Sequence, residues 1–206
     1  MKGLLLSAVL LPIVLVYAVV SRGHGNALVW PTDGATYTAG KTTVGSVMYT
    51  GQQNVLSASQ IATGVEGGRL DNIAVYVGEV HAAPLNHMQV AVYTNNGENT
   101  PGDRIANSDT QVLRANSWNV FSMPSVAVAA NSTYWLAFNV DGSRTQVPVT
   151  SNVARSAWKY PIKYGTWSTP YGALSRPVAS SQYSIYMEHY SKPQLIEKKN
   201  NPRVAL

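Results

Sequence analysis

Two runs decide the fold: residues 67–77, GGRLDNIAVYV, and residues 132–140, STYWLAFNV. Both runs are rich in β-branched and aromatic side chains, which favour strands. In the first run Ile73, Val75 and Val77 fall on alternate positions, so they lie on one face of a strand and point toward a common core. Gly, Asn, Asp or Pro closes such runs at short intervals, a pattern typical of an antiparallel sandwich.

Eight segments in all have this strand pattern. They are residues 44–49, 60–63, 70–77, 88–94, 109–113, 117–122, 133–140 and 184–190. Eight strands are enough for two sheets packed face to face about 10 Å apart. The pattern lapses between 147 and 177, and we interpret that stretch as an irregular insertion. Residues 25–45, rich in Gly, Thr and Pro, are either a linker or a leading edge strand.

The length of 206 residues allows one sandwich domain with extra segments at its ends, and it is too short for two ordinary domains. We therefore expect a hydrophobic helix and linker at 1–27, a β-sandwich domain at 28–190 and a polar basic tail at 191–206. Only 12% of the residues are charged, which suits a polar β-rich surface protein better than a cytosolic helical enzyme. The absence of cysteine excludes disulfides and thiolate metal sites.

The formal net charge of +5 belongs to the ends of the chain. Nine basic and nine acidic residues lie between 28 and 190, so the predicted domain is neutral. The excess comes from Lys2 and Arg22 at one end and from four basic residues in the tail, partly offset by Glu197. Nucleic-acid binding needs a basic face on the folded domain, and this distribution argues against it.

Residues 4–20 form a nearly unbroken apolar run behind Lys2. A run of this length is at the lower edge of what crosses a bilayer as a helix and slightly above the usual core of a signal peptide. A membrane helix, an assembly helix and a signal cleaved near Ser21 or Ala27 are therefore all open. In each case the positive charge at the amino terminus places the domain outside the cytoplasm. The candidate assembly positions along the helix are Leu4, Leu5, Leu10, Val14 and Val20.

The leader Met1-Lys2-Gly3, directly before the apolar run, resembles the short basic leader ending in Gly of type IV pilin-like proteins. The bacterial form of that motif has a Glu five residues after the cleavage point, where this chain has Ala8. The resemblance implies a helix that is retained and that packs in a filament or in a membrane.

A second resemblance covers residues 44–190. A strand that ends in an Asn-Gly and Thr-Pro-Gly turn is followed by a Trp-containing strand and then by a Tyr-Trp strand. This succession resembles a widespread family of secreted jelly-roll domains, similar in shape to carbohydrate-binding modules. It implies an antiparallel two-sheet jelly roll and no particular ligand, because the residues concerned form turns and core. Those residues are Val90-Ala91-Val92-Tyr93, Asn96-Gly97, Thr100-Pro101-Gly102, Trp118-Asn119-Val120-Phe121 and Thr133-Tyr134-Trp135-Leu136-Ala137.

The best candidate surface is aromatic. Exposed Trp and Tyr rings with polar neighbours stack on the apolar faces of sugars, so an aromatic cluster is a candidate glycan site. Two other roles fit the same rings: a lid that crosses the sandwich, or a subunit interface, where Tyr and Trp are enriched. Five such rings fall in the irregular insertion: Trp158, Tyr160, Tyr164, Trp167 and Tyr171.

No cofactor and no metal site are predicted. His81 and His87 flank a short hairpin, but no third ligand is adjacent in sequence. Glu98, Asp103 and the carbonyls of the turn at 95–102 are groups of the type that bind Ca²⁺, although an ordinary polar turn has the same composition. The triplet at Asn131, Asn-Ser-Thr, is a formal glycosylation sequon on a turn.

The ten carboxylates are scattered over turns and strand ends, and no Ser sits in a Gly-x-Ser-x-Gly turn, so we interpret the chain as a non-enzyme. Two functions remain: an extracellular structural subunit that assembles with its own copies or other surface proteins, and a tethered or secreted glycan-binding module. In assembly the N-terminal helix would pack with its copies or in a membrane. The tail beyond Tyr190, with Leu195 and Ile196, or the strand near Val44 would add to an open sheet edge of the next subunit. These apolar segments favour assembly.

Overall fold

The computed structural model describes residues 34–191, and all regular secondary structure in that range is β. No helix among these residues has the length and hydrophobicity that crossing a membrane requires. The predicted N-terminal helix and the tail beyond Ser191 lie outside the described residues. The strands are β1 (Thr36–Gly40), β2 (Val47–Tyr49), β3 (Leu56–Ala62), β4 (Gly68–Val77), β5 (His87–Asn95), β6 (Pro101–Asn107), β7 (Gln111–Val112), β8 (Ser117–Ser122), β9 (Ala127–Val128), β10 (Thr133–Val140), β11 (Val147–Lys159), β12 (Ala179–Tyr183) and β13 (Ile185–Tyr190).

These strands form two antiparallel sheets. The five-stranded sheet has the order β1-β13-β4-β8, with β9 paired to β4. The eight-stranded sheet has the order β12-β11-β3-β10-β5-β6, with β2 paired to β11 and β7 paired to β5. The first and last strands of the domain are neighbours, since β1 pairs with β13 from Thr36 opposite Tyr190 to Gly40 opposite Tyr186.

The main core lies between the sheets and is built from residues two apart along each strand. Ile73, Val75 and Val77 of β4 are fully buried there, as their alternation predicts. The predicted all-β fold with two antiparallel sheets is confirmed. From the eight-stranded sheet, the inner-face residues of β5 and β10 complete this core: Met88, Val90, Val92, Leu136, Phe138 and Val140.

Ser184, between β12 and β13, joins the two sheets. Its N–H donates to the Pro148 carbonyl at 2.9 Å, and its own carbonyl accepts the Tyr76 N–H of the five-stranded sheet at 3.0 Å. Its hydroxyl accepts the Gly45 N–H at 2.8 Å and donates to the Thr43 carbonyl at 3.1 Å. One fully buried serine therefore makes four hydrogen bonds at the point where the chain changes sheet.

The predicted insertion at 147–177 needs correction. Residues 147–159 form β11, the longest strand, and only residues 160–178 are irregular. The strand is hidden in the sequence because Pro148 interrupts it and because its register shifts between Ser151 and Arg155, where exposed residues break the alternation. Each of the eight predicted strands overlaps an observed one, and the edge-strand interpretation holds for residues 36–40, which form β1.

A second apolar layer covers the outer face of the eight-stranded sheet. Four alanines lie side by side in register across adjacent strands: Ala157 of β11, Ala58 of β3, Ala137 of β10 and Ala91 of β5. All four are fully buried. We call them the alanine row. Because methyl side chains leave the strand backbones close to the surface of the sheet, the row forms a shallow trench that larger side chains can fill.

Replacing a ring of the main core should be costly. The Phe138 ring packs edge-on against Tyr183, with centroids 4.9 Å apart. We expect Phe138→Ala to lower the free energy of unfolding by about 3–5 kcal/mol, measured by urea unfolding. Val153→Ala is the control: Val153 is 56% exposed, so its loss should stay within about 0.5 kcal/mol. Equal losses in the two variants would contradict the placement of the core.

Candidate functional site

Residues 160–178, which we call the covering segment, lie across the alanine row. The segment is fixed to the sheet by backbone groups along its length. The Ile162 N–H donates to the Asn54 carbonyl at 2.7 Å, and the Tyr171 N–H donates to the Gly102 carbonyl at 2.8 Å. The Tyr93 hydroxyl donates to the Ser168 carbonyl at 2.9 Å. The segment is therefore held at several points by the sheet beneath it.

Tyr171 is the anchor of the covering segment. Its side chain is fully buried and packs edge-on against Tyr93, with ring centroids 5.2 Å apart. Its hydroxyl donates to the Leu56 carbonyl at 2.5 Å and lies 3.4 Å from the Ala157 carbonyl. Burial raises the pKa of Tyr171 well above that of a free tyrosine. The ring presents no face to a ligand.

Trp167 and Tyr164 are two further rings of the covering segment, and both are half-buried. Trp167 is partly buried against the apolar cluster that contains the alanine row, and its buried Nε1 has no hydrogen-bond partner among the described residues. The Tyr164 hydroxyl lies 3.4 Å from Thr110 Oγ1, and burial raises the pKa of Tyr164. Of the five aromatic residues singled out in the sequence, these three are therefore half-buried or buried within the covering segment.

The other two, Trp158 and Tyr160, line a separate groove of about 430 Å³, which we call the aromatic groove. Tyr160 is 61% exposed. The Arg176 guanidinium lies 5.5 Å from the centre of the Trp158 ring, within the range of a cation–π contact. Tyr49 forms another wall. The groove therefore combines three aromatic rings and one cation.

Two buried groups position the floor of the aromatic groove. The Trp158 Nε1–H donates to the Tyr183 hydroxyl at 2.6 Å, which fixes the indole plane. Burial raises the pKa of Tyr183 to about 12, so this hydroxyl is neutral at physiological pH. Gln52, also in the groove lining, is buried and accepts a hydrogen bond from the Ser57 hydroxyl. The rings thus project from a rigid, uncharged base.

Tyr49 is a groove residue that sequence reasoning missed. It ends β2 and lies opposite Val147 of β11, about a hundred positions away in the chain. Tyr49 and Trp158, far apart in the chain, line the same groove. The one signal available was its place at the end of the predicted strand at 44–49. Among the described residues, no carboxylate and no histidine lines the groove, so its chemistry is stacking, apolar contact and hydrogen bonding.

The histidines lie elsewhere. His87 Nδ1 is 2.9 Å from Asp141 Oδ2, and the His87 N–H donates to Asp141 Oδ1 at 2.8 Å. His81 Nδ1 lies 3.1 Å from the carbonyl of its neighbour Ala82. Residues 34–191 contain no group of three His, Asp or Glu side chains placed to hold a metal ion.

The carboxylates Glu98 and Asp103 are exposed beside the β5–β6 turn. That turn is closed by Asn96, whose Oδ1 accepts the N–H groups of Glu98 at 3.0 Å and Thr100 at 2.9 Å. Glu98 and Asp103 both line a second groove, of about 730 Å³, between the turn and residues 170–174. Asn131 of the sequon is exposed in the turn between β9 and β10, with φ of 48°.

No protein-family model matches the chain, and curated protein sequences give no significant match. The functional reading therefore depends on the geometry of the molecule itself.

Above pH 10 the buried tyrosines should make the stability fall. A free tyrosine has a pKa near 10, and burial raises the pKa of Tyr93, Tyr171 and Tyr183 in the folded state. Above pH 10 the unfolded state therefore binds fewer protons than the folded state. The free energy of unfolding has its full value below pH 10 and decreases from pH 10 toward 12. Each buried tyrosine contributes up to about 1.4 kcal/mol per pH unit to this decrease. Tyr171→Phe should remove the contribution of one tyrosine. Urea unfolding at pH 9 and pH 11 measures the difference.

At pH 8 the same variant should lose about 1–3 kcal/mol, because the buried Leu56 carbonyl loses its donor. Tyr160→Phe, on an exposed ring, is the control and should stay within about 0.5 kcal/mol. A Tyr171→Phe chain with the wild-type stability and the wild-type slope would show that Tyr171 does not anchor the covering segment.

Proposed function

We propose that the chain is a non-enzymatic structural subunit that is exported and assembles with copies of itself at the cell surface. In this proposal the N-terminal apolar helix, residues 4–20, is retained and holds the domain in the membrane or in a filament. The charge pattern around that run supports export. The neutral domain with few charged residues suits close packing between copies, because little charge has to be desolvated at an interface.

We propose the jelly roll as the finer description of the fold. A jelly roll contains two Greek keys, so each sheet alternates strands from distant parts of the chain. The orders β1-β13-β4-β8 and β3-β10-β5-β6 support this assignment, because both place late strands between early ones. The paired strands β11 and β12 are then an addition beside β3.

The observation that carries the assembly proposal is the apolar segment at 44–49. Val44, Val47, Met48 and Tyr49 are all between 40% and 48% exposed. Scattered exposed apolar residues are normal on a monomer, but a contiguous set indicates an interaction surface. Three of the four form β2, a strand in which every residue is exposed.

The backbone of β2 also favours assembly. Among the described strands, β2 pairs only with β11, with Met48 opposite Pro148. The Pro148 carbonyl accepts the Ser184 N–H on the far side of β11. In an antiparallel pair, opposite residues direct their N–H and C=O groups either toward each other or both outward. Met48 therefore directs its peptide groups away from β11, toward an edge where another strand can pair.

The aromatic groove lies next to this edge and shares Tyr49 with it. Trp, Tyr and Arg are the residue types that contribute most to protein–protein affinity, and the groove contains all three. A partner strand at β2 would thus have an adjacent pocket for one of its side chains. The exposed edge and the groove share Tyr49, and a second copy that pairs with β2 would contact both.

We expect Met48→Lys to abolish assembly, because the change places a charge at the centre of an apolar interface. Association should weaken about tenfold or more, equal to about 1.4 kcal/mol or more. Sedimentation velocity over a concentration series and negative-stain microscopy of the full chain measure this. Val153→Lys is the control on an exposed apolar residue away from β2, and it should assemble like the wild type.

Wild-type chains that remain monomeric at every concentration would contradict the assembly proposal. If the wild type assembles and Met48→Lys assembles equally well, the interface lies away from β2. Because Met48 is 46% exposed, the variant should keep the wild-type melting temperature within a few degrees.

Glycan binding is the second candidate, and the exposure of Tyr160 favours it. A ring that is 61% exposed beside Trp158 and Arg176 offers a face to the apolar side of a sugar and a donor to its hydroxyls. The groove volume of about 430 Å³ is within the range of small-molecule sites.

If the groove binds glycan, Tyr160→Ala should weaken binding about tenfold or more while polymers still form. The loss of one stacked ring accounts for an effect of that size. A glycan array identifies the probe, and calorimetric titration of the full chain with that oligosaccharide gives the affinity. Tyr190→Ala, on an exposed tyrosine of β13, is the control. An array without any hit, or an equal affinity in Tyr160→Ala, rejects the glycan function for this groove.

A further inference from the structure

The second groove, of about 730 Å³, has no part in the proposals above; we call it the turn groove. The β5–β6 turn forms one wall, and residues 170–174 of the covering segment form the other. Pro101, Pro170 and Leu174 supply apolar surface, while Glu98 and Asp103 supply carboxylates. The walls are held together by the Tyr171 N–H bond to the Gly102 carbonyl at 2.8 Å. The groove is therefore a fixed surface.

The turn groove is negative. Glu98 and Asp103 are exposed, neither makes an ion pair with any described residue, and no Lys, Arg or His lines the groove. Two cations lie beside the groove and outside its lining: Lys159 Nζ, next to Gly172, donates to the Tyr171 carbonyl, and Arg104 lies opposite Tyr93 on the outer face of the sheet. A ligand for this groove should carry positive charge together with apolar side chains.

The chain itself contains a segment of that chemistry. Residues 192–206 hold four basic residues and one acidic residue. They also contain the apolar pair Leu195-Ile196, followed two residues later by Lys198 and Lys199. Four basic residues and one acidic residue give this tail a net charge of +3, whereas the domain at 28–190 is neutral.

The tail begins at the end of the sandwich where the turn groove lies. The Ser191 N–H donates to the Ala35 carbonyl, beside the start of β4. A short connection joins the start of β4 to the end of β3, where Gln60 lies. Gln60 Nε2 donates to Asn95 Oδ1 at 3.3 Å and to Asn99 Oδ1 at 3.2 Å. Both asparagines lie in or next to the β5–β6 turn, which forms one wall of the groove. Fifteen residues reach about 50 Å when extended, which is ample to enter a neighbouring molecule.

We propose that the turn groove binds the C-terminal tail, residues 192–206, of a second copy. Lys198 and Lys199 pair with Glu98 and Asp103, and Leu195 and Ile196 cover the apolar wall. This assignment rests on the assembly proposed above and supplies a second contact, distinct from β2. Two different contacts on each copy extend an assembly beyond a closed pair.

Charge exchange tests the proposal with full-length chains. One variant reverses the groove, Glu98→Lys with Asp103→Lys, and another reverses the tail, Lys198→Glu with Lys199→Glu. Each alone brings like charges together, so association should weaken about tenfold or more in sedimentation velocity at low salt. Mixed in equal amounts, the two variants present complementary grooves and tails and should assemble like the wild type. Glu79→Lys with Asp109→Lys, on exposed carboxylates outside the groove, is the matched control.

The outcomes are distinct. Recovery on mixing supports a tail supplied by a second copy. A single chain that carries all four changes is the further comparison. If this chain regains wild-type association and the mixture does not, the groove binds the tail of its own chain, and the proposal is overturned. Groove reversal without effect, or with no more effect than the control pair, overturns it as well. A monomeric wild type would instead refute the assembly itself, so failure of the tail assignment and failure of the proposed function are separable.

Discussion

The register of four alanines is the constraint on which the packing of the covering segment against the eight-stranded sheet depends. Ala157, Ala58, Ala137 and Ala91 fall side by side only if β11, β3, β10 and β5 pair without a slip, because a shift of one residue would turn every side chain to the other face. The trench that they form lets Tyr171 descend far enough for its hydroxyl to reach the Leu56 carbonyl. Larger side chains there would lift the covering segment off the sheet.

The covered face determines which surfaces are left for function. Since residues 160–178 bury the outer side of the eight-stranded sheet, that sheet meets its surroundings through its edges and through the grooves beside the covering segment. The covering segment forms one wall of each groove. Arg176 lines the aromatic groove, and Leu174 lines the turn groove opposite the β5–β6 turn. A single irregular stretch therefore closes one face and shapes two sites.

The sequence predicts what short-range alternation encodes. Ile73, Val75 and Val77 are visible as a core face because their spacing is local, and the polar turn after β5 is visible from its Asn and Gly residues. Alanine is neutral in such patterns, so the alanine row cannot be read without the pairing of distant strands. The same holds for the aromatic groove, whose lining residues Tyr49 and Trp158 lie far apart in the chain. It holds also for β11 itself, which Pro148 and a register shift conceal.

The adjacency of β1 and β13 has a mechanical consequence. Thr36 and Tyr190 are opposite one another, so the connections toward the two chain ends leave the domain from neighbouring strands at one end. A tensile load applied between those ends would separate the two strands one hydrogen bond at a time, because it pulls on a single pair of the ladder. A load entering through β13 and leaving through the edge at β2 would instead pass through Ser184, whose backbone bonds to Pro148 and Tyr76 connect the two sheets. The two bonds of its hydroxyl hold the segment that leads to β2.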